Sequence, residues 1–308
     1  MISHRLHRHE PAVSSQPIDI LHNDGQLLVV NKPSSLPVHP SGRYRFNTLV
    51  EVLQHDLNLT TPLGVVNRLD RLTSGVCMLT VGGAKSQIHK DMANRRFTKE
   101  YIARVAGHFP TGVIKCSEPL KLLDHKLGVV VVDTESGKEA TTSFELIQHL
   151  GGNGENVPEE SIIRCFPTTG RTHQIRVHLL TLGFPISNDP LYSHPCWRDA
   201  KISTDDILSI LMSEQIKSEE EPNAYSKEPR DTPSNNDLEV ENYTSSSLKS
   251  PGLNASRVLC LDCDRTTPLP DPTAEVLCLY LHAHKYSCEE WSYTADPPVW
   301  AATKLMHS

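Results

Sequence analysis

The sequence predicts an α+β fold: one mixed β-sheet with a few flanking helices. Three observations point there. Short stretches with apolar residues at every second position outnumber stretches with helical spacing. The two kinds do not alternate regularly, which argues against a doubly wound parallel sheet. Residues 199–257 are dominated by Ser, Glu, Asn and Pro, with too little apolar content to offset the entropy of ordering, so they read as a disordered insertion outside the sheet.

The elements follow in order. Residues 1–17 read as irregular. Ile18–Leu21 and Leu27–Val30 are short strands around the turn Asn23-Asp24-Gly25. In Asn31–Pro40 three prolines and two serines impose a rigid, extended loop. Asn47–Leu59 is a helix with Leu49, Val50, Leu53 and Leu57 on one face and Asn47 as its cap. Val65-Val66 and Val76–Val81 are strands on either side of Arg68-Leu69-Asp70-Arg71. Gly82-Gly83 opens a helix to about Arg96. Lys85, Lys90, Arg95, Arg96 and Lys99 make this segment basic, either as a solvated face or as a contact to an RNA backbone.

Lys99–Val105 alternates as a strand with Tyr101, Ala103 and Val105 on one face. Gly128–Asp133, Ala140–Leu150 and Ser161–Phe166 are further strands, with a Gly- and Asn-containing loop before the last. Thr172–Leu182 is a helix with Ile175, Leu179 and Leu182 spaced for the core; Gly183 ends it and Pro185 prevents its resumption. Ile186–Ser193 reads as a surface loop. A short helix is expected within Asp205–Gln215. Ala274–Ala283 alternates as a closing strand, and the tail after it is expected to pack loosely.

Composition narrows the function classes. The chain has 308 residues, enough for one large or two modest domains, and a net charge of −7, which argues against a globally basic nucleic-acid binder. Residues 201–250 carry eleven acidic and five basic residues, so the rest is near neutral and can hold a local basic cleft. The eight cysteines, without a signal-like apolar start or a run long enough to span a bilayer, are expected as free thiols in a reducing compartment. Cytoplasm or nucleus is therefore expected. The first nine residues hold Arg5, Arg8 and three histidines with no acid, which keeps the mitochondrion as an alternative.

The chemistry concentrates around Asp70. An Arg-Asp-Arg cluster alone is usually a solvated surface pair. Here it lies between strand-like apolar flanks, and Thr73-Ser74-Gly75 reads as a sharp turn that would fix the carboxylate in place. An ionised carboxylate so held suits a nucleophile. Tyr101, on an alternating strand, reads by itself as a core residue with a satisfied hydroxyl. Cys260-x-x-Cys263, with Cys278, His282, His284 and Cys288 downstream, has metal-type spacing but is a weak signal for structural zinc. Neither half of the zinc-deaminase signature is present, nor is a phosphate-binding glycine loop, a dinucleotide fingerprint or a nucleophile elbow.

Arg68-Leu69-Asp70-Arg71-Leu72-Thr73-Ser74-Gly75 resembles the aspartate motif of the RluA family of RNA pseudouridine synthases. Three further stretches agree in family order: Asn31-Lys32-Pro33 running to Pro37-Val38-His39-Pro40, Lys99–Ala103, and Gly170-Arg171-Thr172-His173-Gln174-Ile175-Arg176-Val177-His178. The resemblance covers about residues 9–195 and resumes near 276–284. It implies one catalytic domain around a long bent mixed sheet with a central cleft. The catalytic domain would comprise residues 18–198 and a closing part at 258–308, after a linker remnant at 1–17 and around the insertion at 199–257.

The resemblance also implies roles. Asp70 would be the nucleophile and Arg171 the guanidinium that holds it ionised and oriented. Tyr101 would stack on a flipped uracil, its hydroxyl available as a base. Arg68 would enter the RNA stack as the nucleotide leaves, and Leu72 and Ile175 would line the pocket. The implied activity is isomerisation of a specific uridine in RNA, chiefly tRNA with mRNA as a second class, by a monomer that needs no cofactor, no metal and no membrane. His7-Arg8-His9-Glu10-Pro11 resembles the segment that joins an upstream RNA-binding region to the catalytic domain in eukaryotic members, so such a region is expected outside this chain. Asn67 and Phe184 stand where the family usually has histidine. They motivate the alternative of a catalytically silent RNA-binding protein that keeps the cleft.

Overall fold

The structure is a computed structural model. It describes residues 10–82, 97–124, 127–151, 159–198, 203–220, 258–259, 266–267 and 277–302. The chain forms two compact units, residues 8–203 with 271–308, and residues 1–7 with 204–270.

The first unit is built on a mixed sheet. Its strands are β1 (Asp19–Asn23), β2 (Leu27–Lys32), β3 (Leu63–Val65), β4 (Ser74–Val81), β5 (Thr98–Ala106), β6 (Val113–Cys116), β9 (Thr142–Leu150), β10 (Glu160–Pro167), β13 (Leu281–Ser287) and β14 (Ser292–Thr294). A separate hairpin joins β7 (Leu120–Asp124) to β8 (Val129–Val132). The order is β1-β2-β4-β13-β5-β10-β9-β6, with β3 beside β4 and β14 beside β13. Every pairing is antiparallel except β4 with β13, which run parallel over only Ser74–His282 and Gly75–Ala283.

Burial explains why the centre reads as it does. The strand β4, Ser-Gly-Val-Cys-Met-Leu-Thr-Val, is buried at its first seven positions, so its apolar run is nearly continuous instead of alternating. Gly75 is required where β4 meets β13. Its φ is +110°, and a Cβ there would lie 2.2 Å from the Ala283 carbonyl oxygen.

Helix α1 (Leu49–Asp56) is shorter than expected and starts one residue later. Thr48 is the N-cap, its Oγ1 accepting from the Glu51 amide at 3.4 Å. The expected cap, Asn47, instead donates from Nδ2 to the Pro11 carbonyl at 3.3 Å. Helix α2 (Gln174–Thr181) is buried from Gln174 to Leu179 on every side, polar residues included.

Two expectations are corrected. Ile186–Ser193 is no surface loop: Asp189 is 0% and Tyr192 1% exposed. The closing strand begins at Leu281, not Ala274. Just before it, the Cys278 carbonyl and the Tyr280 amide bond to the side chain of Asn188, the Leu279 amide bonds to the Leu72 carbonyl, and the Tyr280 carbonyl accepts from the Arg104 amide of β5, so this stretch is held by loops as well as by the neighbouring strand. The basic helix expected over 83–96 and most of the insertion lie outside the described residues. In the second unit, helix α3 (Thr204–Glu220) extends past the expected Asp205–Gln215, and β11 (Val258–Leu259) pairs with β12 (Thr266–Thr267).

Candidate active site

The loop between β3 and β4 carries Asp70, and Asn67 shapes it. The Asn67 side chain is buried; its Oδ1 accepts from the Met78 amide at 2.7 Å and its Nδ2 donates to the Val76 carbonyl at 3.3 Å. The amide thus stands in for a strand partner of β4 and fixes where the loop leaves it. The Thr73 amide donates to the Asp70 carbonyl at 3.1 Å, closing a turn over Asp70–Thr73; the turn expected at Thr73-Ser74-Gly75 is not there, because Ser74 and Gly75 already belong to β4.

Lys32, at the end of β2, supports the loop from beneath. It is fully buried, and its Nζ donates to the carbonyls of Pro33 and Leu36, each at 2.8 Å, and of Arg71 at 3.2 Å. Burial pushes its pKa down to about 7, against the pull of Cys77 and Asp70. The rigid Asn31–Pro40 loop and the residue after Asp70 are therefore tied to one side chain.

The guanidinium that meets Asp70 belongs to Arg176. Its Nη1 lies 3.3 Å from Asp70 Oδ2, while Nε and Nη2 make a two-pronged contact with Asp189 at 2.7 and 2.8 Å. Burial works against the Arg176 charge, but the hydrogen bonds and charge of Asp189, with Asp70 behind them, outweigh it and hold the group above its ordinary pKa. Burial likewise works against the Asp189 carboxylate, and Arg176 with the Tyr192 and Leu191 amides holds its pKa below the usual value. Arg171, the expected partner, lies three residues before α2 begins. Its Nε donates to the Glu139 carbonyl at 3.1 Å, away from Asp70.

His173 adds a second contact to the same oxygen, with Nε2 3.6 Å from Asp70 Oδ2. Its Nδ1 is 3.0 Å from the Tyr192 hydroxyl, which accepts from the Val130 amide at 3.0 Å and lies 3.2 Å from the Val130 carbonyl. Burial lowers the His173 pKa against the pull of the Asp70 charge. The single Tyr192 proton, given to Nδ1, leaves Nε2–H facing the carboxylate, which is the attractive arrangement; given to Val130, it would set a lone pair against it. Arg176 and His173 both engage Oδ2.

Tyr101 is buried on β5, its hydroxyl 2.5 Å from that of Tyr286 on β13. Burial pushes its pKa well above the ordinary value, with Tyr286 and the charge of Asp70 adding to it, so the group is a neutral phenol that senses Asp70. Tyr286 is pushed up to about 12 by burial. Leu72 and Ile175 pack in the same core cluster as Tyr101. Arg68 is exposed at the start of the loop, close enough to His39 to add to the lowering of its pKa by burial.

Of the expected residues, Tyr101 senses the Asp70 charge and Leu72 and Ile175 share its core cluster, while the guanidinium contacting Asp70 is that of Arg176, not Arg171. Sequence reasoning missed Arg176, Asp189, His173, Tyr192 and Lys32. Nothing local marks Asp189 as buried. Among the described residues no cluster of three metal-type ligands occurs; Cys260 and Cys263 lie outside them. Within the described set, His282 bonds to Ser74 and His284 to the Ala295 carbonyl.

A sheet with one short parallel seam, an aspartate turn at that seam and a buried arginine behind it define a class. A family model described as RNA pseudouridylate synthase matches residues 26–181, and the chain belongs to that family, in its RluA-type branch. The Mus musculus protein named pseudouridylate synthase RPUSD2 is 35% identical over 96% of this chain and 58% of its own length. RNA pseudouridine synthase 7 of Oryza sativa subsp. japonica is 34% identical over 97% of this chain and 73% of its own. The mitochondrial tRNA pseudouridine(32) synthase of Saccharomyces cerevisiae is 45% identical over 63% of this chain and 41% of its own. The chain spans well under two thirds of the mouse and yeast relatives. The solved structure of human RNA pseudouridylate synthase domain containing 1 shares the fold, with a TM-score of 0.54 at 18% identity over 94% of this chain and 86% of that one.

Proposed function

We propose that this protein is an RNA pseudouridine synthase with Asp70 as its nucleophile. One observation carries the reading: a carboxylate on a fixed turn, one oxygen held by Arg176, which is itself locked by the buried Asp189. The reaction balances without an oxidant or co-substrate. The N1–C1′ bond of uridine breaks, the uracil turns, a C5–C1′ bond forms, the C5 proton leaves and N1 takes one up. Asp70 attacks ribose C1′ or uracil C6, or assists glycal formation. Tyr101 supplies a stacking face beside it. Arg68, exposed at the loop, fills the RNA stack when the nucleotide is extruded, a step that costs a few kcal/mol. The residue that orients the nucleophile is Arg176 in place of Arg171.

The substrate we propose is tRNA, after the naming of the yeast relative, with mRNA as a second class. The protein acts as a monomer in the cytoplasm or nucleus, with the mitochondrion as the alternative. The residues that suggested a silent binder do not favour one. Asn67 braces the loop, and Phe184 packs against Phe109, ring centroids 5.0 Å apart.

The test uses tRNA transcripts labelled with tritium at uridine C5, since that hydrogen is released on isomerisation. The unsubstituted chain should release tritium. Asp70→Asn should release none and bind the RNA within about tenfold, because affinity comes mostly from phosphate contacts. Release by the purified Asn variant rules out Asp70 as nucleophile, and no release by the unsubstituted chain from any tRNA or mRNA transcript rules out the activity.

A further inference from the structure

We propose that the hairpin Ser41–Phe46 is a contact surface for single-stranded RNA beside the cleft: Phe46 stacks on an unpaired base near the target uridine, and Arg43 and Arg45 hold the adjoining phosphates. This rests on the reading of the cleft as an RNA site.

The hairpin is rigid before any ligand arrives. Ser41 and Tyr44 exchange both backbone hydrogen bonds, at 3.1 and 3.0 Å, around Gly42 with φ +53°. The next three amides, of Arg45, Phe46 and Asn47, all donate to the Glu10 carboxylate at 2.8–3.0 Å. A chain so fastened has little ordering entropy left to lose on binding. What it displays is unusual. Phe46 is 68% exposed and is the only aromatic among the exposed large hydrophobics of the described residues. Arg45, the residue before it, and Arg43, three residues before it, are also exposed.

Position and charge select the partner. Arg71, the residue after Asp70, sits over the Tyr44 ring with its guanidinium 5.8 Å from the centroid, so the hairpin adjoins the nucleophile loop. Residues 31–50 present Arg43 and Arg45 as exposed cations and no acid; the Glu10 carboxylate lies against the backbone amides of 45–47 and offsets one of the two charges. An exposed aromatic with two exposed arginines just before it lacks the contiguous apolar patch that a protein partner would need. It suits a π-face stacked on a base with the adjoining phosphates on its arginine side.

The experiment measures binding of a fluorescent anticodon stem–loop transcript in the Asp70→Asn background, so that no turnover intervenes. Phe46→Ala should weaken binding by roughly tenfold, the value of one base stack, and Phe46→Tyr should restore it. Val113→Ala, which trims an exposed apolar side chain on the edge strand β6, should leave affinity unchanged. Arg43→Gln with Arg45→Gln should reduce the slope of log affinity against log salt by about 1.4, two single-strand phosphates. Equal melting temperatures exclude unfolding as the cause. Phe46→Ala affinity within about twofold of its parent overturns the proposal and leaves the hairpin to a protein partner; an unchanged salt slope overturns the role of the arginines. Because binding is read apart from tritium release, a failure of the catalytic reading is distinguishable from a failure here.

Discussion

Arg176 stands between two carboxylates of unequal exposure. Asp189 is 0% exposed and takes two of its nitrogens; Asp70, with 30% of its side chain exposed, takes the third. Removing the guanidinium outright would leave Asp189 buried and unpaired, at a cost of about 3–5 kcal/mol, and would confuse catalysis with folding. Arg176→Lys keeps a charge but only as a point, which cannot serve both acids with the same geometry. That variant should stay folded and lose about 100-fold in single-turnover rate, the effect of a nucleophile misplaced by about 1 Å. Arg171→Ala should stay within about threefold, as expected for an exposed side chain away from the chemistry. Rapid-quench measurement of tritium release at saturating RNA compares the two, and the reverse ranking would return the orienting role to Arg171.

The element that ties the site together is the short seam between β4 and β13. Beside the close contact at Gly75, Ser74 Oγ meets Nδ1 of the buried His282 at 2.9 Å, and the far ring nitrogen faces the Ala295 carbonyl. Burial pushes the His282 pKa down to about 4, from an ordinary 6.5. The unfolded chain therefore binds a proton here that the folded chain refuses. Stability from this group is complete above pH 6.5 and is lost as pH falls through 4, roughly 3 kcal/mol in all. His173 and His178, both lowered mainly by burial, act in the same direction. Thermal melts between pH 7 and 4 should show Tm falling with acidification, and His282→Gln should flatten part of that fall. A Gln variant with the same slope as the parent would assign the acid sensitivity to other groups.

At the scale of the whole molecule the chain divides into two compact units. All ten sheet strands fall outside residues 204–270, which group with residues 1–7 as a unit of their own. Residues 221–257 hold hardly any apolar side chains, so by composition they cannot contribute a core. Replacing 221–257 by a short Gly/Ser bridge should leave Tm within a few degrees, since each kcal/mol is worth about 2–4 °C in a chain of this size. A drop of more than about ten degrees would show that the stretch supports the fold. The same variant should retain tritium release, because every residue of the site lies in the other unit.

Most of the strands and the α+β class were legible because their causes are local; β6, β7 and β14 were not expected, and the turn at Asp70 closes before Thr73-Ser74-Gly75, not within it. Alternating apolar residues mark strands, Pro and Gly mark turns, and the uninterrupted run Val76–Leu79 marks a strand buried on both faces. The strand of Tyr101 and the core position of Ile175 follow from the same patterns. The pairings were not legible, because each joins residues that the chain holds far apart: Asp70 and Arg176 by 106 positions, Tyr101 and Tyr286 by 185, Ser74 and His282 by 208. Arg171 and Arg176 share one motif and carry the same charge, so no local rule separates them. Only the start of α2 at Gln174, which turns Arg176 inward and leaves Arg171 in the preceding turn, decides which one reaches the carboxylate. Burial likewise depends on what folds over a residue: Ile186–Ser193 has the composition of a surface loop, and it is buried because Arg176 and Val130 draw Asp189 and Tyr192 in.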